Sequence, residues 1–190
     1  MTSLVVQAGP ESTSIEIRRP RFSSLWNAYA AVGNKSSLDV YTLVGGGVEA
    51  ARAENPAAYA NACALRMSWG LNHGGFRIPK GTIIQNKPIY RLAGKDGLPY
   101  ILKVADIIEF LKFNWGEPDQ TLKSQESALL NGKKGIIVMT VSGWSDATGH
   151  VTLWDGSTTG DSSDYHRLDS HTYENPNIKL IKIDYWELKG

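Results

Sequence analysis

The chain contains a single cysteine, Cys63, whose position suits nucleophilic chemistry. It lies in Asn61-Ala62-Cys63-Ala64-Leu65-Arg66-Met67-Ser68, at the predicted start of a helix with Asn61 as the expected N-cap. Far downstream, Gly149-His150-Val151-Thr152-Leu153-Trp154 predicts a strand that carries a histidine. A thiol attacks as the thiolate, and both a helix N-terminus and an adjacent imidazolium lower its pKa. Cys63 and His150 are therefore a candidate nucleophile and general base.

A third side chain is expected to orient the His150 imidazole through its second nitrogen. Asp155 and Asp161 are the nearest acids that follow His150 in the chain. Asp155 precedes Gly156 in a predicted turn, where aspartate is common because it forms local hydrogen bonds. Asp161 comes later and could return beside His150 on a neighbouring strand. We favour Asp161 and keep Asp155 as the alternative, while Asp164 is less well placed.

The alternation of residues along the His150 strand places its side chains on two faces of the sheet. Val151 and Leu153 would lie on one face, and His150, Thr152 and Trp154 on the other. We expect the helix that carries Cys63 to pack against the second face, because His150 lies there.

Predicted helices come early in the chain and predicted strands come late. Helical periodicity marks residues 22–29, 40–53 and 104–111, and Gly45-Gly46-Gly47 interrupts the second of these segments. Strands are predicted at residues 136–141, 150–154 and 178–188, the last with a phase slip near Leu180-Ile181. This order predicts an α+β fold in one domain spanning residues 1–190, with residues 1–19 as a flexible arm or edge element.

Composition and charge exclude several classes of protein. The 190 residues carry a formal net charge of +1, which gives no electrostatic reason to expect a nucleic-acid partner. No apolar run is long enough to span a bilayer, and the N-terminus lacks the pattern of a signal peptide. His166 and His171 flank Asp169 without a standard zinc spacing, so we expect neither a metal site nor a cofactor.

At these residues the chain resembles the type VI secretion amidase effectors of the fourth family. The segments that carry the resemblance are Val44-Gly45-Gly46-Gly47-Val48, the Cys63 segment, and Ser142-Gly143-Trp144 followed by the His150 segment. The cysteine and histidine blocks in this order are specific, whereas a Gly-His-Val match alone is shared by many NlpC-type peptidases. The resemblance extends from the helix of Trp26 to the C-terminal strand.

The resemblance implies a papain-like cysteine hydrolase fold, with N-terminal helices packed on a C-terminal antiparallel sheet. It implies hydrolysis of the amide between γ-D-glutamate and meso-diaminopimelate in peptidoglycan stem peptides, with Cys63 as nucleophile, His150 as base and Asp161 as the third residue. It also implies a protein that is made in the cytoplasm without a signal peptide and delivered to the periplasm of target bacteria. A cognate immunity protein would block its cleft.

The sequence departs from the family pattern near Asp161. Relatives can carry a cysteine pair near this loop, whereas this chain has Gly160-Asp161-Ser162-Ser163. We therefore expect a more mobile loop here than in those relatives.

Two other functions are compatible with the sequence. One is a non-catalytic cell-wall-binding module that uses exposed tryptophans, with Cys63 as an unreactive buried residue. The other is a papain-like cysteine peptidase or acyltransferase with a protein substrate, which would use the same cysteine and histidine.

Overall fold

The computed structural model describes residues 3–8, 11–16, 19–81, 83–84, 87–145, 147–167 and 177–190. The helices are α1 (Phe22–Ala30), α2 (Ser37–Val44), α3 (Gly46–Glu54), α4 (Cys63–His73) and α5 (Val104–Trp115), with a 3₁₀ helix at Ser124–Leu130. The strands are β1 (Ser3–Ala8), β2 (Glu11–Glu16), β3 (Ile83–Ile84), β4 (Lys87–Pro88), β5 (Arg91–Ala93), β6 (Pro99–Ile101), β7 (Gln120–Leu122), β8 (Gly135–Ser142), β9 (Gly149–Trp154) and β10 (Lys179–Glu187). The predicted α+β class is confirmed.

The main sheet contains four antiparallel strands in the order β7-β10-β8-β9. Its strand β9, which carries His150, therefore lies at an edge of the sheet. The pairing of β10 with β8 shifts between Leu180 and Lys182, where the sequence predicts a phase slip. The bulge moves the side chains that follow it back into register with the core.

The two faces of this sheet are covered by different parts of the chain. One face packs against the helices, and its cluster includes Val138, Val151, Leu153 and Trp186 with residues of α1, α4 and α5. The other face carries Ile137, Met139, Trp154, Ile183 and Tyr185, and loop residues cover it. Burial of apolar surface on both faces fixes the position of each strand.

Glycine separates α2 from α3, as the sequence predicts. Gly45 and Gly46 have φ values of 64° and 61°, in a region that side chains disfavour. A Cβ atom on Gly46 would also lie 2.7 Å from the carbonyl carbon of Gly94. The bend therefore brings the start of α3 directly against the backbone that follows β5.

Strands β1 and β2 form a separate antiparallel hairpin within the range that the sequence predicts as an arm or edge element. The other residues before Arg19 lie outside the described part of the chain. The Arg19 guanidinium pairs with Asp119 and donates to the carbonyl oxygens of Trp115 and Glu187. Arg19 therefore links the segment before α1 to the last residue of α5 and the last residue of β10. Among the described residues, no helix has the length and apolar character needed to cross a membrane.

Candidate active site

Helix α4 begins at Cys63, so the thiol lies in its first turn. The residue at the N-cap is Ala62, and no side chain caps the helix, so the predicted capping role of Asn61 is wrong. The Asn61 main chain is instead held through its carbonyl oxygen, which accepts a hydrogen bond from the Tyr41 hydroxyl at 3.2 Å. Cys63 is 7% exposed and is the free cysteine of the chain.

The thiol meets His150 across the free edge of β9. Cys63 belongs to the cluster that contains Val151 and Leu153, so the prediction that α4 packs on the His150 face is wrong. The physical reason is the edge position of β9, which leaves the Val151 N–H unpaired within the sheet and free to donate to the Cys63 sulfur. The His150 side chain reaches the same sulfur from the opposite face and forms a hydrogen bond with it.

Asp161 lies beside the other side of the His150 ring. Its Oδ2 atom is 2.7 Å from Nε2 of His150, which leaves Nδ1 as the ring nitrogen for Cys63. Asp161 does not lie on a neighbouring strand as expected. It lies in a turn that follows an isolated bridge between Trp154 and Thr159. A turn is sufficient here because the edge of β9 is open and the chain can fold back along it.

The alternative acid, Asp155, stabilises the turn in which it lies. Its carboxylate accepts hydrogen bonds from the N–H groups of Ser157 at 2.8 Å and Thr158 at 2.7 Å, and from both hydroxyl groups. This is the local bonding that makes aspartate common in turns. The structure therefore places Asp161, and not Asp155, at the His150 ring.

Hydroxyl groups surround the Asp161 carboxylate. Thr152 donates to its Oδ1 atom at 3.0 Å, and Ser163 donates to the same oxygen at 2.7 Å. The Ser163 hydroxyl also lies 3.2 Å from His150 Nε2, and the Tyr29 hydroxyl lies 3.2 Å from that of Thr152. Strand alternation does place Thr152 on the His150 face, but no sequence signal marks Ser163 or Tyr29.

The electrostatics favour a charged cysteine and histidine. Burial alone would raise the pKa of the Cys63 thiol, but the hydrogen bond and charge of His150 and the N–H groups of Val151 and Ala64 bring it below its ordinary value. Burial alone would lower the pKa of His150, but its bonds to Asp161 and Cys63 raise it to about 9.

The carboxylate beside them is held ionised. Burial would raise the pKa of Asp161, yet the hydrogen bond and charge of His150, with Ser163 and Thr152, lower it to about 2. The contacts therefore favour the thiolate form of Cys63, the imidazolium form of His150 and the carboxylate form of Asp161.

Cys63 lies between two arms of one cleft. The histidine arm, about 300 Å³, is lined by Asn61, Ala62, Cys63, Arg66, Trp144, Ala147, Gly149, His150 and Tyr165. The lysine arm, about 470 Å³, shares Asn61, Cys63, Trp144, Ala147 and Gly149 and adds Ala57, Ala58, Leu102, Lys103, Val104, Ala105, Ser145 and Thr148. The Tyr165 ring packs edge-on against both His150 and Trp144, with 5.0 Å between centroids in each pair. An extended chain could therefore cross the thiol from one arm to the other.

The described part of the chain contains no candidate metal site. No group of three histidine, cysteine, aspartate or glutamate residues there lies close enough to hold a metal ion. The His166 ring packs on Trp154 at 4.9 Å between centroids. His171 and Asp169, which the sequence places near it, lie outside the described residues.

Comparison with known proteins identifies a family. The model of Tae4, described as type VI secretion system amidase effector protein 4, matches residues 59–186. No curated protein sequence matches the chain significantly.

Solved structures give the same result. Tae4 from Salmonella typhimurium, in complex with the immunity protein Tai4 from Enterobacter cloacae, is 36% identical with a TM-score of 0.75 over 90% of this chain and 99% of that chain. The Tae4–Tai4 complex from Enterobacter cloacae matches at 35% identity and a TM-score of 0.75, over 90% of this chain and 100% of that chain. The structure of Tae4 from Enterobacter cloacae without an immunity protein matches at 34% identity and a TM-score of 0.74. The match covers 90% of this chain and 98% of that chain. These likenesses confirm the predicted papain-like fold.

Proposed function

The chain belongs to the Tae4 family of type VI secretion amidase effectors, and from this premise we propose that it is a cysteine amidase that cleaves peptidoglycan stem peptides. The bond would be the amide between γ-D-glutamate and meso-diaminopimelate. One observation carries the proposal: Cys63, His150 and Asp161 form a continuous hydrogen-bonded series at the junction of the two cleft arms.

The reaction would begin with attack by the Cys63 thiolate on the γ-carbonyl carbon of the glutamyl residue. The carbonyl oxygen becomes an oxyanion as the sulfur–carbon bond forms. The first N–H groups of a helix have no acceptor within the helix, and that of Cys63 is the first of α4. This N–H would donate to the oxyanion, assisted by the positive end of the helix dipole.

His150 would then give its proton to the leaving nitrogen. The carbon–nitrogen bond breaks, diaminopimelate leaves as the amine, and the glutamyl group remains on Cys63 as a thioester. The neutral imidazole next takes a proton from water, and the resulting hydroxide attacks the thioester carbon. The glutamyl group leaves as the carboxylic acid, which then ionises and releases its proton to solvent, and the thiolate and imidazolium are restored. Asp161 would hold the ring in place through Nε2 and stabilise its positive charge throughout.

The lowered pKa of the Cys63 thiol weighs against the alternative of a non-catalytic binding module. A non-catalytic binding module does not require an ionised thiol, so its cysteine would be an ordinary buried residue. A papain-like peptidase with a protein substrate would use the same three residues, so substrate specificity must separate the two enzymes.

The partner and the place of action follow from the family. Solved Tae4 relatives are in complex with Tai4 immunity proteins. This chain would likewise be bound by a cognate immunity protein that covers the cleft at Cys63. It would be delivered into the periplasm of a target bacterium, where stem peptides are accessible.

The test is digestion of purified diaminopimelate-type muropeptides by the unmodified protein and by Cys63→Ala, with products identified by mass spectrometry. We expect the unmodified protein alone to release the part of the stem that begins with diaminopimelate. Casein, incubated in parallel as a protein substrate, tests the peptidase alternative. Cleavage by a correctly folded Cys63→Ala protein would exclude the proposed nucleophile.

A further inference from the structure

The Lys103 side chain is a charged group in the cleft that the chemistry above does not use. It immediately precedes α5 and lines the lysine arm. None of the described residues that line this arm carries a carboxylate, and Lys103 is the one described lining residue with a cationic side chain. Among its described residues, the arm therefore presents one positive charge to a ligand.

The surroundings of Lys103 leave its charge available to a ligand. Its ammonium lies 5.5 Å from the centroid of the Tyr90 ring, whose hydroxyl is 3.2 Å from that of Tyr59. Within the described ranges, no carboxylate lies at ion-pair distance from this ammonium. Asp106 interacts with Lys103 electrostatically, but it does not line the arm. The aromatic ring positions the cation without neutralising it.

The location of His150 determines which part of the substrate enters this arm. A general acid must lie beside the nitrogen that it protonates, so the leaving amine belongs on the His150 side of the sulfur. The histidine arm contains His150, whereas the lysine arm contains Cys63 and lacks His150. The lysine arm is therefore the one for the acyl group, which becomes attached to the sulfur.

We propose that Lys103 binds the free α-carboxylate of the D-glutamyl residue on the acyl side. This assignment rests on the proposed function. A γ-linked glutamyl residue keeps its α-carboxylate at the end of a short methylene chain from the bond that is cleaved. An ammonium in the acyl arm that has no described carboxylate at ion-pair distance is complementary to that group. Lys103 would thereby make the protein selective for stem peptides whose D-glutamate is not amidated.

The test compares two synthetic stem peptides that differ in one group. One carries D-glutamate with a free α-carboxylate, and the other carries the α-carboxamide, which has the same shape and no charge. We expect the unmodified protein to prefer the carboxylate about tenfold or more in kcat/KM, the range for a hydrogen bond between charged groups. Lys103→Met should lose that preference by slowing on the carboxylate substrate alone, and Lys103→Arg should retain most of it.

Lys112→Met provides a matched control, because Lys112 lies near the other end of the same helix and pairs with Glu117 at 2.8 Å. It removes the same charge and should leave the preference unchanged. An undiminished preference in Lys103→Met, or an equal loss of rate on both substrates, would overturn the assignment of Lys103 while the amidase activity stands. Absence of cleavage by the unmodified protein on either substrate would overturn both proposals.

Discussion

Gly33 and Gly160 approach each other so closely that a Cβ atom on Gly33 would lie 2.3 Å from the Gly160 carbonyl oxygen. Gly160 immediately precedes Asp161, and its N–H donates to the Leu153 carbonyl oxygen at 2.9 Å. The turn that carries Asp161 is therefore held between the loop after α1 and the edge of β9. Gly33, in the loop after α1, thus sets the position of Asp161, whose carboxylate contacts the His150 ring.

Gly33→Ala should displace the Asp161 turn. We expect the free energy of unfolding to fall by about 1–3 kcal/mol, which is typical of overpacking. Amidase activity should fall by a larger fraction of its original value than the free energy of unfolding does. Gly81→Ala is the matched control, because a Cβ atom there meets no atom of the described residues within 4 Å. Urea unfolding and muropeptide turnover measure the two effects, and equal behaviour of both variants would contradict the close approach.

The thiol of Cys63 should react with iodoacetamide faster at neutral pH than an ordinary cysteine does, because its pKa lies below the ordinary value. In His150→Ala the stabilising bond and charge are lost while burial remains, so the pKa should rise above the ordinary value. The rate at neutral pH should then fall strongly. A pH series of alkylation rates tests this, and superimposable profiles would show that His150 does not act on the sulfur.

Amidase activity should fall at alkaline pH as His150 loses its proton, near its pKa of about 9. Asp161→Asn removes the charge that helps to raise that pKa, so the alkaline limit should move to lower pH. Turnover should also drop at least about tenfold, as for residues that orient a catalytic histidine. Asp155→Asn should keep turnover within about twofold. A larger loss in Asp155→Asn than in Asp161→Asn would reverse the assignment of the third residue.

Acidification should remove the stability that Asp161 contributes. Its folded pKa of about 2 lies below the unfolded value of ~3.9, so the contribution is present above pH ~3.9 and is lost as the pH falls through about 2. The difference in unfolding free energy between the unmodified protein and Asp161→Asn should therefore shrink by about 2 kcal/mol between pH 5 and pH 2. Urea unfolding at several pH values measures it, and a constant difference would contradict the depressed pKa.

Ser163 should act as a positioning residue, because its hydroxyl contacts both Asp161 and His150. Ser163→Ala should lower kcat about two- to tenfold and leave KM nearly unchanged, since one hydrogen bond is lost and no substrate contact is removed. It should also shift the alkaline limit of the pH profile. Ser157→Ala, whose hydroxyl bonds to Asp155 in the adjacent turn, is the control and should change neither quantity.

Local patterns in the sequence predicted much of the fold. The helical stripes, the continuous apolar run of β8 and the phase slip in β10 each arise from burial of one face, and periodicity records burial directly. The order of helices and strands was then enough to predict the α+β class. Asn61 failed as a predicted cap because the Tyr41 hydroxyl, distant in the sequence, holds its main chain instead.

The arrangement of the site depended on features that periodicity does not record. Alternation placed His150 and Val151 on opposite faces correctly, but it could not reveal that β9 is an edge strand. An edge allows a helix on the Val151 face to meet a histidine on the other. The contact of Ser163 with His150 likewise depends on a turn whose path is set by tertiary contacts. The catalytic roles of Cys63, His150 and Asp161 stay predictions until they are measured.

The position of the site across the edge of β9 also determines when the protein can become active during its own synthesis. Cys63 leaves the ribosome well before His150 and Asp161, which follow much later in the chain. Until the edge strand and its turn have docked on α4, the thiol has neither the imidazolium nor the Val151 N–H that stabilise its charged form. A nascent chain would therefore carry a cysteine of ordinary acidity. Hydrolytic capacity would therefore arise only in the completed fold.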